Sequence, residues 1–181
     1  MKGKWEIVFS GVGGQGLLLN GNILGKAATI IEKKQAVMRP SYGSETRGTF
    51  TKCDLIISEE YIDFPEVTSA DVVVALAQVA YDKYVETMKE DSIILYNNNQ
   101  VKESQSKAKQ YGIRMEDIAL EAKNQNGVNM VALGALIAKT KCVKPESVKN
   151  MLAKQFEGKD EIIKKNEKAF DLGYKELSEL L

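Results

Sequence analysis

Histidine is absent from this 181-residue chain. Its absence excludes Ser-His and Cys-His nucleophile pairs and histidine metal sites at one stroke. Cysteine occurs twice, as Cys53 and Cys142, far apart in sequence. An iron–sulfur cluster usually takes four thiolates, so two reduced core thiols are the expectation. A redox centre served by this chain is therefore built from something other than its own side chains. An excess of either charge is also lacking, with 25 basic and 25 acidic residues. That balance argues against a duplex nucleic-acid partner, which favours a basic face. No apolar run approaches the ~20 residues of a membrane helix. Met1-Lys2-Gly3-Lys4-Trp5 leads straight into a strand pattern, with no apolar signal core. The expectation is a cytoplasmic protein with neither membrane nor nucleic acid as partner.

What is present is a chain with 44% hydrophobic residues. At this length roughly 70% of the unfolded surface is buried on folding, and residues 1–181 are expected to form one domain. A strand is expected over residues 5–10, followed by a helix from about Gly14 to Lys33 with Leu18, Leu19, Ile23, Ala27, Ile30 and Ile31 at helical spacing. Gly21 and Gly25 weaken that helix, so close packing is the expected reason for them. Gln35 to Met38 reads as a short second strand, and Thr49 to Ser58 as a third. Residues 71–76 and 92–96 are continuous apolar runs, the pattern of parallel strands buried on both faces. Helices are expected over 78–89, 104–111 and 116–123, with a short strand at 113–115. Residues 128–139 are apolar almost all round, which predicts a buried helix. Pro145 opens the next helix. Residues 160–181 form an amphipathic helix with Ile163, Phe170, Tyr174, Leu177 and Leu181 on one stripe, expected to cover its own domain. The fold class is α/β: a Rossmann-like, largely parallel sheet flanked by helices, with a helical C-terminal region.

Between the first strand and its helix stands Gly11-Val12-Gly13-Gly14-Gln15-Gly16, in which Gly11, Gly13 and Gly16 match G-x-G-x-x-G. Glycines let the backbone turn tightly, and the helix N-terminus then presents N–H groups to an anion. A dinucleotide site also wants an acidic residue at the end of strand 2. Here that strand ends Met38-Arg39-Pro40, and Gln15 puts a long polar side chain where a pyrophosphate would lie. The local pattern leaves two readings open, an NAD(P) site and a structural turn.

A second motif narrows the choice. "GVGGQG", followed some 25 residues later by "PSYGSETRG", resembles the gamma subunit of 2-oxoacid:ferredoxin oxidoreductases. The resemblance continues through "SADVVVALAQVAYDKY", "NMVALGALIA" and "NEKAFDLGY". It departs from the family at Arg47-Gly48-Thr49, where R-G-G is usual. The resemblance implies oxidative decarboxylation of a 2-oxoacid such as 2-oxoglutarate or pyruvate to an acyl-CoA. It implies thiamine diphosphate, Mg2+ and iron–sulfur clusters in alpha and beta subunits, with a ferredoxin-like delta subunit in some complexes and ferredoxin as electron acceptor. The gamma chain then brings no cofactor and no catalytic residue of its own. Asn97-Asn98-Asn99 lacks a preceding G-D-G and reads as a turn, not a diphosphate–magnesium signature. The competing readings are a stand-alone nucleotide- or CoA-binding module and an NAD(P)-dependent dehydrogenase.

The candidate surface is composite. Gly11, Gly13, Gly14, Gln15 and Gly16 supply the turn, and Ser41, Tyr42, Gly43, Glu45 and Arg47 a polar loop after strand 2. Both are expected at the carboxyl edge of the sheet, where an open α/β fold keeps its ligand crevice. The competing reading of Arg47 is a surface ion pair with Glu45, worth at most ~1 kcal/mol.

Overall fold

The structure is a computed structural model that describes residues 2–41 and 50–180. The chain runs through β1 (Lys4–Val12), α1 (Leu17–Lys26), β2 (Gln35–Ser41), β3 (Phe50–Ser58), β4 (Val72–Ala75) and α2 (Gln78–Val85). It continues with β5 (Ile93–Asn97), β6 (Lys109–Ile113), α3 (Met115–Glu121), α4 (Val128–Thr140), α5 (Pro145–Gln155) and α6 (Asp160–Leu180). The strands form a six-stranded sheet in the order β2-β3-β1-β4-β5-β6. β1, β4, β5 and β6 are parallel neighbours. β3 runs antiparallel to both β1 and β2. All strands except β3 therefore point the same way, and the expected α/β class and largely parallel sheet hold.

The apolar runs explain the centre of this sheet. Every residue of β4 and β5 is buried, which requires cover on both faces. One face, carrying Ile7, Phe9, Cys53 and Leu55, packs against Ile23 and Leu24 of α1 and, through the same cluster, Leu136 of α4 and Phe170 of α6. The other, carrying Val8, Val73 and Ile94, packs against Ala80, Tyr81 and Val85 of α2. α4 is buried along nearly its whole length. α6 crosses it backbone to backbone: a Cβ at Gly134 would stand 2.0 Å from the Phe170 carbonyl, and one at Gly173 2.1 Å from that of Val131. Phe170 and Leu177 are buried, so the α6 stripe covers this fold itself. Gly21 also packs closely, with the Cys53 sulfur 2.5 Å from where a Cβ would lie.

Three elements differ from the sequence reading. The first helix begins at Leu17 and passes at Ala27–Ile31 into a π-helical turn. Strand 2 extends through Pro40 to Ser41, which an edge strand tolerates. The helix expected over 104–111 does not form. Val101 and Ala108 are buried in the smaller core, and the Ser106 hydroxyl caps the Val85 carbonyl. Residues 109–113 then pair with β5 as an edge strand, four residues ahead of the strand expected at 113–115. Ladder pairing with β5 outweighs the weak local helix pattern.

Candidate functional site

β1 delivers its chain into α1 on one face of the sheet, and β4 delivers its chain into α2 on the other. The carboxyl ends of β1 and β4 are therefore the topological switch point, where open α/β sheets keep their crevice. The glycine turn lies there. Its left-handed backbone falls at Gly14 (φ 94°) and Gly16 (φ 75°), conformations glycine adopts without steric cost. Gly13 is exposed in the turn. Gln15 folds back across the switch point. Its Oε1 accepts from the Val12 N–H at 2.8 Å, and its Nε2 donates to the Leu76 carbonyl at 3.3 Å. A Cβ on Gly11 would collide with that same Oε1 at 2.2 Å. Gln15 thus ties the end of β1 to the residue following β4.

Beneath the turn, α1 and α4 are joined by a buried asparagine pair. Asn20 Nδ2 donates to the Asn129 carbonyl (2.9 Å), and Asn129 Nδ2 donates to Asn20 Oδ1 (3.1 Å). Asn129 also fills the space a Cβ on Gly16 would take, with its Nδ2 2.5 Å away. A cleft of about 400 Å³ opens in front of these groups, walled by Gly14, Gln15, Gly16, Asn97, Glu116 and Asn129. α1 and α4 both begin beside it, at Leu17 and Val128, so first-turn N–H groups lie at its edge. The asparagine run is structural. Asn99 Oδ1 accepts from the Glu116 N–H at 3.0 Å, and Gln100 Nε2 donates to Glu116 Oε1 at 2.7 Å. These bonds cap α3 and fix Glu116 at the cleft wall. Among the described residues lining the cleft, Glu116 is the single ionisable side chain. The cleft can bind and orient a polar group. It offers no nucleophile paired with a base.

The other half of the candidate surface is framed by its two ends. Ser41 is exposed at the end of β2, paired with Lys52, and Phe50 pairs with Val12. The connection between them leaves and returns at the carboxyl edge that holds the glycine turn. Tyr42, Gly43, Glu45 and Arg47 lie outside the described residues. Sequence reasoning missed Asn97, Glu116, Asn126 and Asn129 as cleft walls. The available signal was Asn20, a polar residue set directly after the apolar run Leu17-Leu18-Leu19.

Both thiols are free and buried. Burial, aided at Cys53 by the charge of Asp54, pushes its thiol up to about 11. Burial does the same at Cys142, also to about 11. No group of three or more His, Cys, Asp and Glu residues placed to hold a metal ion occurs among the described residues. No helix among them is long and apolar enough to cross a membrane.

The sheet order also bears on the dinucleotide reading. β3 stands between β1 and β2, so the end of β2 is two strand spacings, about 9–10 Å, from the glycine turn. The ribose-holding position of a dinucleotide fold adjoins the turn instead. Fold and site together define a Rossmann-like α/β fold with a self-braced glycine turn at its switch point. The sequence profile of the pyruvate ferredoxin/flavodoxin oxidoreductase family matches residues 6–176, and the chain belongs to that family. It is 41% identical to the 2-oxoglutarate synthase subunit KorC of Methanocaldococcus jannaschii, over 99% of this chain and 97% of that one. The gamma subunit of a keto/oxoacid ferredoxin oxidoreductase from Geobacter sulfurreducens superposes with a TM-score of 0.83 at 34% identity, over 96% of this chain and 98% of that one. A 2-oxoglutarate:ferredoxin oxidoreductase from Magnetococcus marinus, solved with 2-oxoglutarate, coenzyme A and succinyl-CoA bound, superposes with a TM-score of 0.85 at 26% identity. The match covers all of this chain and 32% of that longer one. The chain is thus a gamma-type subunit of a multi-subunit 2-oxoacid:ferredoxin oxidoreductase, and the stand-alone dehydrogenase reading has no support.

Proposed function

We propose that this chain is the gamma subunit of a complex acting on 2-oxoglutarate, and that it presents the carboxyl edge of its sheet to the partners' active centre. In this reading alpha and beta subunits, with a delta subunit where present, carry thiamine diphosphate, Mg2+ and the iron–sulfur clusters. Ferredoxin takes the electrons, and the chain itself, one domain over residues 1–181 in the cytoplasm, holds no cofactor. Two buried thiols and the lack of histidine fit that division. The choice of 2-oxoglutarate rests on the likeness to KorC along nearly the full length of both chains.

The single observation that carries the site is the convergence at one edge. The glycine turn, the amide-lined cleft and both ends of the 42–49 connection meet at the carboxyl ends of β1, β2 and β4. The ligand this edge suits is the anionic portion of CoA. First-turn N–H groups favour a phosphate, and Arg47 adds a planar, permanently charged donor. Arg47→Ala in the reconstituted complex tests this reading. The expected result is a raised apparent KM for CoA or weaker assembly, with the melting temperature of the lone subunit unchanged. Equal turnover and assembly at limiting CoA would leave "GVGGQG" as a structural strand-to-helix turn. Comparing kcat/KM for 2-oxoglutarate, pyruvate and 2-oxoisovalerate tests the substrate, with 2-oxoglutarate expected to lead.

A further inference from the structure

The end of the sheet opposite the glycine turn carries a second surface. β1 spans 9 residues, so the two ends stand roughly 25–30 Å apart. There the chain leaves β3 and runs as Ser58-Glu59-Glu60-Tyr61-Ile62-Asp63-Phe64-Pro65-Glu66 before entering β4. Tyr61 is 79% exposed and Phe64 54%. Large aromatics are seldom left in water without a purpose when they sit together. The segment is held on either side of the two rings. The Glu59 N–H donates to the Gly3 carbonyl at 2.9 Å, and the Glu60 N–H donates to Ser58 Oγ at 3.0 Å. Glu66 pairs with Arg39. The N–H groups of Thr68 and Ser69 donate to Glu6 Oε2. Anchors on either side limit the backbone freedom that would be lost on binding. They flank a cavity of about 500 Å³ that also takes in Gly3, Lys4 and Ile62.

Charge says what fits there. The carboxylates of Glu59, Glu60 and Asp63 make no ion pair and accept no hydrogen bond among the described residues. The nearby Lys4 amine is already engaged by Glu6 at 2.8 Å. The patch is therefore two aromatic anchors ringed by three uncompensated negative charges. A second copy docking through the same patch would place these carboxylates against one another across a two-fold axis, and like charges so juxtaposed oppose association. A basic surface is the complement.

We propose that Tyr61 and Phe64 dock this chain onto a partner subunit of its own complex, into an apolar socket rimmed by Lys and Arg. Aromatic anchors such as tyrosine are enriched in interface hot spots, and Arg is enriched among the residues that face them. This inference rests on membership of a multi-subunit complex. It is independent of what the glycine-turn end binds.

The experiment uses the co-purified complex. Two variants are made, Tyr61→Ala with Phe64→Ala, and Glu59→Lys with Glu60→Lys and Asp63→Lys. Binding of labelled chain to the remaining subunits is titrated at rising salt. A benzophenone amino acid at Tyr61 reports the neighbour by photo-crosslinking. The expected result is a dissociation constant raised about tenfold or more in both variants, an unchanged CoA KM in the complex that does assemble, and a crosslink to a partner subunit. All five substitutions are at exposed positions, so the melting temperature of the lone chain should match the parent in both variants. Unchanged association in both variants would overturn the proposal, as would a crosslink joining two copies of this chain.

Discussion

Gly14 and Gly16 both sit in the left-handed region, but their surroundings differ, and that difference makes a quantitative test of the glycine turn. At Gly14 nothing lies within 4 Å of where a Cβ would stand, so Gly14→Ala carries only the backbone cost. For a non-glycine residue in that region the cost is about 1–2 kcal/mol. At Gly16 the same backbone cost applies, and the new methyl also meets Asn129 at its Nδ2 (2.5 Å) and Cγ (2.8 Å). Asn129 cannot swing away freely, because its amide is held by Asn20. Displacing it leaves buried amide groups unpaired, which costs about 1–3 kcal/mol more. Gly16→Ala should therefore destabilise the chain by about 2–5 kcal/mol, and Gly14→Ala by about 1–2 kcal/mol. Urea unfolding of the two variants and the parent measures both. A cycle with Asn129→Ala isolates the clash, since removing the amide makes room for the methyl. The two changes should then be strongly non-additive. Equal costs at Gly14 and Gly16, or simple additivity in the cycle, would refute the argument.

Gln15→Glu keeps the bond from the Val12 N–H but sets a carboxylate against the Leu76 carbonyl, where Gln15 donates at 3.3 Å. A loss of about 1–2 kcal/mol is expected at neutral pH; such a loss holds the folded carboxyl above its free value of about 4.3, so it shrinks as pH falls toward that value and the carboxyl regains a donor. Neither Cys53 nor Cys142 should react with a thiol reagent at neutral pH until the chain is unfolded, since burial raises both thiols to about 11. Rapid native labelling of either, read by mass spectrometry, would contradict the buried assignment. Burial alone would raise the carboxyls of Glu6 and Glu32, but donors outweigh it: Lys4, Ser69 and Thr68 at Glu6, and the Lys144 N–H, Ser147 and Lys34 at Glu32. Both groups therefore sit below 4.5 in the folded chain. Their stabilisation is present above pH 4.5 and is lost as pH falls through the folded values. Melting temperature against pH should drop in that acidic window, and the drop should shrink in Glu6→Gln and Glu32→Gln.

The centre of the fold was legible because its signal is local. Val72 to Ala75 and Ile93 to Asn97 are apolar almost without interruption, and such runs have few homes besides a doubly covered parallel strand. The glycine turn was legible for the same reason, standing between a strand and a helix. The insertion of β3 between β1 and β2 was not, because strand neighbours are fixed by pairing at long range. That insertion is what moves the end of β2 away from the turn. Lys109 to Ile113 carries no clean alternation, since its burial rises along the strand instead of alternating between faces. The cleft walls were invisible for a related reason. Asn97, Glu116, Asn126 and Asn129 come from separate segments and converge only once α3 and α4 are laid beside the turn. Gln15 was expected to obstruct a pyrophosphate. Its role in tying β1 to the end of β4 depends on where Leu76 falls.

Hydrogen exchange of the assembled complex, with and without CoA, tests the central claim most directly. Peptides covering residues 11–16 and 41–49 should be slowed by assembly and slowed further by CoA, while residues 59–66 should respond to assembly alone. If residues 11–16 and 41–49 exchange in the CoA-loaded complex as fast as in the free chain, the carboxyl edge of this sheet does not face the active centre.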